Sequence, residues 1–482
     1  MAWSGREALV QSELIFGAEF PSATRDDWLK LTSAVLKGAA YDSRLVTRSY
    51  DGLMLDALPP RAENSEPVEA RAAGAPWRIA VRADHPDLDT ANRLALDDLV
   101  GGASLLTLVL ADSPTAYGFG LQVGTPDDLD RVLSGVDLGM IGLRIEGGAD
   151  LVPILAGNQG MTADALDVSF GLDPLGTAVV RGVFSRPWAE TEKTLAKTAK
   201  NLRASGIRGS LFSADGRPYH AAGAGAAQEL AAALATALAY IRALADNGIP
   251  ADMAASSIEF TLAADANQIE TTAKFRAIRL LWSALMREIG SADHPTIVHA
   301  ETAWRMMTRL DPHTNILRAT IAGFAAGVGG ADSMTILPFS QAIGLPDGFA
   351  RRLARNTHAI LIEEASIHRV ADPAAGAGAF EAYTDQLAER AWDLFLDIER
   401  AGGMAAALAS GWWQSEVRKT ATARAQDIAS GATPIVGTTV FPPSNPLATA
   451  VLQPVRPAVE SPFNALALPP SRLSEPHEAS GP

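Results

Sequence analysis

The chain contains no cysteine. That absence removes disulfides, thiolate metal sites, iron–sulfur clusters and a cysteine nucleophile together. Positive charge is also scarce: 40 Lys and Arg stand against 55 Asp and Glu, for a formal net charge of −15. Such a chain repels a polyphosphate backbone, and no local basic cluster offsets the excess, so nucleic acid is not an expected partner. Long hydrophobic runs are missing as well. The first residues, MAWSGREALVQSELIFGAEFP, carry acidic side chains and no uninterrupted apolar stretch, so neither a secretory leader nor a membrane anchor is expected there. The expectation is a cytoplasmic protein with no membrane partner.

What the chain does have is apolar mass. With 482 residues at 48% hydrophobic, it can bury one large core. At roughly 100 to 200 residues per domain, two or three units are allowed, and a barrel of about 250 residues counts as one.

Four regions separate along the chain. Residues 1–70 hold one clear helix, with Trp28, Leu29, Leu31, Val35 and Leu36 at helical spacing after Thr24 and Asp26, and Gly38 as its stop. One helix and its loops cannot form a core, so this extension must pack on something else, and it reads as a subunit-interaction segment. Residues 71–345 alternate short apolar runs with amphipathic stretches, the pattern of βα units around a parallel sheet. The expected strands are Trp77–Arg82, Ser104–Leu110, Met140–Ile145, Leu166–Gly171, Gly206–Ser213, Ser257–Leu262, Thr296–Glu301 and Ser333–Leu337. Their number suits a (β/α)8 TIM-type barrel, although a doubly wound sheet gives a similar alternation. The helix after the fifth strand is the clearest: Leu230, Leu234, Leu238, Ile241 and Leu244 share a face, and Asn247-Gly248 then Pro250 stop it. Residues 346–440 form a helical linker layer, with helices expected over Asp347–Ala365 and Ala379–Ala401. Residues 441–482 are dense in proline, so an extended or disordered tail is expected, tacked to a surface by Phe463 and its leucines.

Most motifs fail as chemistry. Gly223-Ala-Gly225 and Gly376-Ala-Gly378 open like a dinucleotide fingerprint, but Gln228 and Glu381 stand where the third glycine belongs, so both read as close-packed turns. His299 and Glu301 share one face of a strand without the partner of a metal motif, and a hydrogen-bonded pair inside the barrel is the better reading. His358 and His368 read as a solvated helix face. Asp311-Pro-His313-Thr-Asn315 reads as a helix cap rather than a substrate contact. Tyr219-His220, in SADGRPYHAAGAGAAQEL, falls just after the fifth strand, where barrel enzymes place their chemistry. An imidazole there could hydrogen-bond a carbonyl oxygen as it gains charge, with the phenol steering a reactive intermediate. A Tyr-His pair bonded within its own loop fits the spacing equally well. No metal site is expected.

At these residues the sequence resembles the methylmalonyl-CoA mutase family. The resemblance runs through the segment after Tyr219-His220, KFRAIRLLWSALM at 274–286, LDPHTNILRATIAGFAAGVGGADSMTILPFSQAIG at 310–344, the stretch at 350–392, IERAGGMAAAL at 398–408 and IVG at 435–437. Two departures refine it. A catalytic chain of that family resembles IRQYAGF at its first strand, whereas WRIAVRADHPDLDTANRLALDDLVGGASLLTLVL holds no tyrosine. The Asp-x-His-x-x-Gly motif of a cobalamin domain has no counterpart, since Asp311-Pro-His313 lies inside the barrel block. The segment DWLKLTSAVLKGAAYDSRLVTRSYDGLMLDAL at 27–58 is instead similar to the small (β) subunit of heterodimeric enzymes. The resemblance implies a supporting, non-catalytic barrel whose centre is filled by side chains. It also implies a large (α) subunit as partner, and adenosylcobalamin and the acyl-CoA held by that partner. No catalytic residue is then expected in this chain; were it active with a cobalamin domain from a separate chain, Tyr219 and His220 would be the residues.

Overall fold

In the computed structural model the described residues are 23–63, 65–147, 167–291, 294–445, 447–455 and 464–478. They fall into two units, one reaching Arg48 and including Met54–Leu58, the other comprising Ser49–Leu53 and the chain from Pro59 onward.

The first unit is built on the helix Arg25–Leu36. Thr24 caps it through a reciprocal box with Asp27, and Lys37 ends it in the left-handed region. No residue of this helix is buried, and Leu31 and Val35 are 69% and 77% exposed. An antiparallel hairpin, Val46–Arg48 with Met54–Asp56, belongs to the same unit.

The second unit is organised by eight parallel strands: β1 (Arg78–Ala83), β2 (Leu105–Val109), β3 (Gly142–Glu146), β4 (Val168–Gly171), β5 (Phe212–Asp215), β6 (Ile258–Ala264), β7 (Val298–Thr302) and β8 (Ser333–Thr335). Neighbours run in the order β4-β3-β2-β1-β8-β7-β6-β5, and a parallel bridge from Leu172 to Phe212 brings the ends together. The result is the expected (β/α)8 TIM-type barrel. Each expected strand is present within a few residues, apart from the fifth, which begins at Phe212 rather than Gly206. The reason is local: Gly206 has φ +88 and turns the chain out of the helix Trp188–Ala204, so the residues up to Ser210 serve as its exit. Leu166, the first residue of the expected fourth strand, lies outside the described residues.

Strand alternation divides the barrel into two environments. One face of each strand meets the helices: Phe260 packs edge-on against Trp282 at 5.2 Å, and Phe212 against Tyr240 at 5.7 Å. The helix Ala226–Asp246 runs as expected to Asn247, and its alanines and leucines are almost all buried. Beyond β8 the helical layer comprises Gly348–Ala359, Gly378–Arg400, Met404–Ala409 and Trp412–Ala429. The last two lie within the expected helical layer but were not delimited in the sequence, because the buried residues of Trp412–Ala429 are few, among them Trp413, Val417 and Ile428.

The proline-rich segment departs from the expected disorder over its described residues. Val451–Pro454 pairs antiparallel with Gly344–Pro346, and Leu468, Arg472 and Ser474 are buried. Proline bars a helix interior or a central strand, but it leaves an edge strand or an extended strap available. Phe463 lies outside the described residues.

Candidate functional site

The residues expected to matter most sit just after β5. Asp215 accepts the Arg217 backbone N–H at 2.8 Å, Pro218 supplies a fixed φ, and the short helix Arg217–Ala221 carries Tyr219 and His220 inward. Both are fully enclosed, at 0% and 2% exposure. His220 Nε2 lies 3.2 Å from Asp265 Oδ2, and Arg305 Nη2 reaches the same oxygen at 2.9 Å. Arg305 also donates to the His220 and Ala224 carbonyls at 3.2 and 2.7 Å. Burial and the Arg305 cation push the His220 pKa well below its usual value, so the imidazole is neutral. Burial opposes ionisation of Asp265, yet Arg305 and His220 hold its carboxyl well below the ordinary range. The Tyr219 phenol is driven well above its normal pKa by burial and by Asp173. This corner is a neutral imidazole bonded to a carboxylate that the Arg305 guanidinium also clamps. Its one N–H, on Nε2, is committed to the Asp265 carboxylate, and the ring presents no open face to a ligand.

The barrel centre holds a charged network of which the sequence singles out only Glu301. Arg82 on β1 pairs with Glu301 on β7 at 2.8 Å and with Asp84 at 3.1 Å. Arg144 on β3 binds Glu146 at 3.2 Å, Thr261 at 2.8 Å, and Glu259 on β6. Arg217 joins the two halves, meeting Asp215 at 2.7 Å, Glu146 at 2.9 Å and Glu301 at 3.2 Å. Thr115 donates to Glu146 at 2.7 Å and Ser169 to Glu259 at 2.5 Å. These ionic side chains are all buried. Asp215, Glu146 and Glu301 outweigh burial and hold Arg217 well above its usual pKa, while the arginines keep Glu146 well below its own. A signal for this network existed in the sequence: charges recur at every second residue of otherwise apolar strands, as in Arg82/Asp84, Arg144/Glu146 and His299/Glu301.

Above the network, at the C-terminal ends of the strands, Tyr117 stacks on Trp304 with ring centres 4.1 Å apart. The Tyr117 hydroxyl reaches Glu301 at 3.4 Å, and Arg82 lies 5.5 Å from the Tyr117 ring. Both aromatics pack on Met307, Leu337 and Ala342. Beside the ends of β3, β4 and β5 a cavity of about 360 Å³ is lined by Arg144, Glu146, Asp173, Asp215, Arg181 and Arg186, among others. Much of its charge is already paired within the network.

The remaining candidates resolve as follows. His299 and Glu301 do face the barrel interior, but they bond to different partners: His299 Nδ1 meets Ser333 Oγ at 2.7 Å, while Glu301 belongs to the arginines. His358 is not on a solvated face as expected. Its Nδ1 accepts the Trp77 indole N–H at 3.0 Å, and burial lowers its pKa to about 3. His368 sits on a separate turn, Ile367–Arg369. Asp311 and Asn315 do not cap the helix Thr314–Val328. Asn315 lies inside its first turn, accepting from Thr308 N–H at 3.0 Å and donating to the Thr308 and Phe339 carbonyls at 2.8 and 3.0 Å. The Gly-Ala-Gly segments are close-packed turns, as expected: a Cβ on Gly223 would fall 2.6 Å from Ala421 Cβ, and one on Gly378 would fall 1.8 Å from the Pro60 carbonyl. Among the described residues no group of three or more His, Cys, Asp or Glu could hold a metal ion, and no helix is long and apolar enough to cross a membrane.

Comparison with known proteins aligns with this architecture. The family model for methylmalonyl-CoA mutase matches residues 69–461. The methylmalonyl-CoA mutase small subunit of Streptomyces virginiae is 38% identical over 463 residues, covering 90% of this chain and 73% of the relative. The corresponding subunit of Propionibacterium freudenreichii subsp. shermanii is 33% identical over 472 residues, 90% of this chain and 71% of the relative. A probable methylmalonyl-CoA mutase small subunit of Mycobacterium tuberculosis is 37% identical over 417 residues, 83% of this chain and 65% of the relative.

Proposed function

The chain belongs to the methylmalonyl-CoA mutase family, and from that membership we propose that it is the small (β) subunit of a heterodimeric enzyme. In this reading it supports the adenosylcobalamin-dependent interconversion of (R)-methylmalonyl-CoA and succinyl-CoA in a large (α) subunit, in the cytoplasm, and is itself non-catalytic. One observation carries the reading. A barrel threaded by a pantetheine arm needs an open axis, whereas here the chain Arg82–Glu301–Arg217–Glu146–Arg144–Glu259 crosses the interior from β1 to β6.

The C-terminal face does not fit a corrin-sized cofactor either. Tyr219 and His220 are enclosed, Tyr117 and Trp304 stack over the centre, and the loops after β5 and β7 are hydrogen-bonded to residues 471–474. In this reading adenosylcobalamin and the acyl-CoA are held by the partner, and no step of the reaction passes through this chain. The N-terminal unit supports a docking role for residues 1–70: its helix buries nothing and presents Leu31 and Val35 to solvent. Apolar faces of that kind are stabilised by a partner surface.

The test is to purify the chain alone and together with a large subunit, then measure mutase turnover with adenosylcobalamin. No turnover alone, stable co-purification, and a His220→Ala complex within about twofold of wild type are expected, since an enclosed neutral histidine contributes no transition-state contact. Turnover by the isolated chain, with free cobalamin or with a separate cobalamin domain, would instead establish the alternative: a catalytic barrel using Tyr219 and His220.

A further inference from the structure

Residues 464–478 lie across the C-terminal ends of the barrel strands, and the manner of their attachment is informative. Leu468 N–H donates to the Val179 carbonyl after β4 at 2.9 Å, Ser471 N–H to the Ala221 carbonyl after β5 at 3.0 Å, and Leu473 N–H to the Arg305 carbonyl after β7 at 2.9 Å. Ser474 Oγ donates to the Met307 carbonyl at 3.0 Å, and Arg309 N–H returns a bond to Glu478 at 2.8 Å. Ala221 directly follows His220, and Arg305 is the residue that clamps Asp265 against it. The segment is thus bonded to both walls of the Tyr219-His220 corner.

Its own architecture is that of a strap rather than a piece of core. It contains Pro469-Pro470 and no regular structure before the short turn at Glu475–Glu478. Only Ala467 and Leu468 supply buried apolar side chains. Within the segment Arg472 pairs with Glu478 at 2.6 Å through both guanidinium amines and with Glu475 at 3.3 Å, while Arg472 donates to the Met307 carbonyl and Arg418 to the Ala465 and Ala467 carbonyls. Burial raises Glu478, but its bonds from Arg472 and Ser474 prevail and keep the carboxyl below its usual range. The barrel is shaped to receive it: a Cβ on Gly182 would lie 2.3 Å from the Ala467 nitrogen. Few buried apolar side chains and no regular structure before Glu475 are marks of a segment that opens at lower free energy than the body it covers. The proline-rich stretch is already extended when free, so little ordering entropy opposes its return.

We propose that residues 464–478 are an internal cap, a detachable strap that holds the C-terminal face of the barrel shut and seals the Tyr219-His220 corner. The strap competes, within the same molecule, with any other surface that would dock there. A partner subunit engages this chain through a different face while the strap is closed.

The experiment compares three proteins: the full chain, a version ending at Val455, and the full chain with Arg472→Ala and Glu478→Ala together. Modification of His220 by diethylpyrocarbonate is followed by mass spectrometry, with the other histidines as internal references, alongside backbone hydrogen exchange. His220 is expected to react slowly in the full chain and at least about tenfold faster in both variants, as for a corner exposed by local opening. Exchange should rise over residues 217–224 and 303–309 and stay unchanged in the helix 226–246. Adding a synthetic 464–478 peptide should restore protection to the shortened version. Unchanged His220 reactivity in the double variant, or exchange rising evenly over the whole barrel, overturns the proposal; should the shortened version not fold, the double variant alone decides. These readouts concern the isolated chain, so the subunit reading stands or falls separately.

Discussion

Inside the ring of strands most buried side chains are polar and many are ionic; outside it, against the helices, they are apolar. Phe212, Phe260 and Leu262 occupy the outer face of strands whose inner face presents Ser213, Asp215, Glu259 and Thr261. Barrels of this class ordinarily fill their interiors with layers of branched apolar residues. Here the interior is filled instead by paired charges, and that filling is directional. An apolar layer tolerates small shifts of register, whereas a guanidinium bound to three carboxylates fixes which strands face one another. Stability and specificity are thus divided between the two environments: the shell supplies area removed from water, and the interior supplies pairing that costs desolvation and repays it only when complete.

The largest effect should come from breaking that completeness. Glu146→Ala strands Arg144 and Arg217 without a shared acceptor, and urea unfolding should show a loss of about 3–5 kcal/mol. Replacing Arg144, Glu146 and Glu259 together with Met, Leu and Leu should cost clearly less than the single change; an equal or larger loss would mean that the interior contributes stability as the shell does. In the shell, Leu234→Ala on the fully packed helix should cost about 2–4 kcal/mol, with the denaturant slope unchanged. It should add to the interior triple variant without coupling, as distant sites do.

The smallest effect tests the seam between the two regions. Asp173 hydrogen-bonds to Tyr240 of the shell and accepts the Gly176 N–H at 2.9 Å, while Asp215 of the interior lies close by. Burial, then Asp215, raise its carboxyl to about 7. A carboxyl whose folded pKa exceeds its unfolded value stabilises the fold below the unfolded pKa, and that contribution fades as pH rises through about 7. Between pH 5 and 8 the wild type should therefore lose about 2–3 kcal/mol relative to Asp173→Asn, which keeps the acceptor without the charge. Parallel stability curves for the two proteins would remove Asp173 from the seam.

Much of this molecule was readable before it was folded. The helix Ala226–Asp246 announces itself by its leucine spacing and Asn247-Gly248 stop, and the strands by short apolar runs between turn residues. The interior was harder to read. Arg82 and Glu301 are far apart in sequence, and nothing local in either segment says that they meet. His358 looked like a surface residue because charged neighbours surround it in sequence; only the arrival of Trp77 buries it. The proline-rich stretch looked disordered because composition excludes a core, yet composition does not exclude adhesion to an edge or a loop.

The sequence by itself determined the alternating βα plan, the helix boundaries set by Thr24 and Asn247, and the resemblance that names the family. These depend on neighbours within a few residues, where sterics and hydrogen bonding act directly. Tertiary structure alone decided that the barrel centre is closed by arginine–carboxylate pairs and that residues 464–478 cover its mouth. The first rests on register, the second on hydrogen bonds to the segments that follow β4, β5 and β7. A parallel strand shifted by one residue would turn Arg144 outward and Leu143 inward, and only the closed ring settles which of the two occurs.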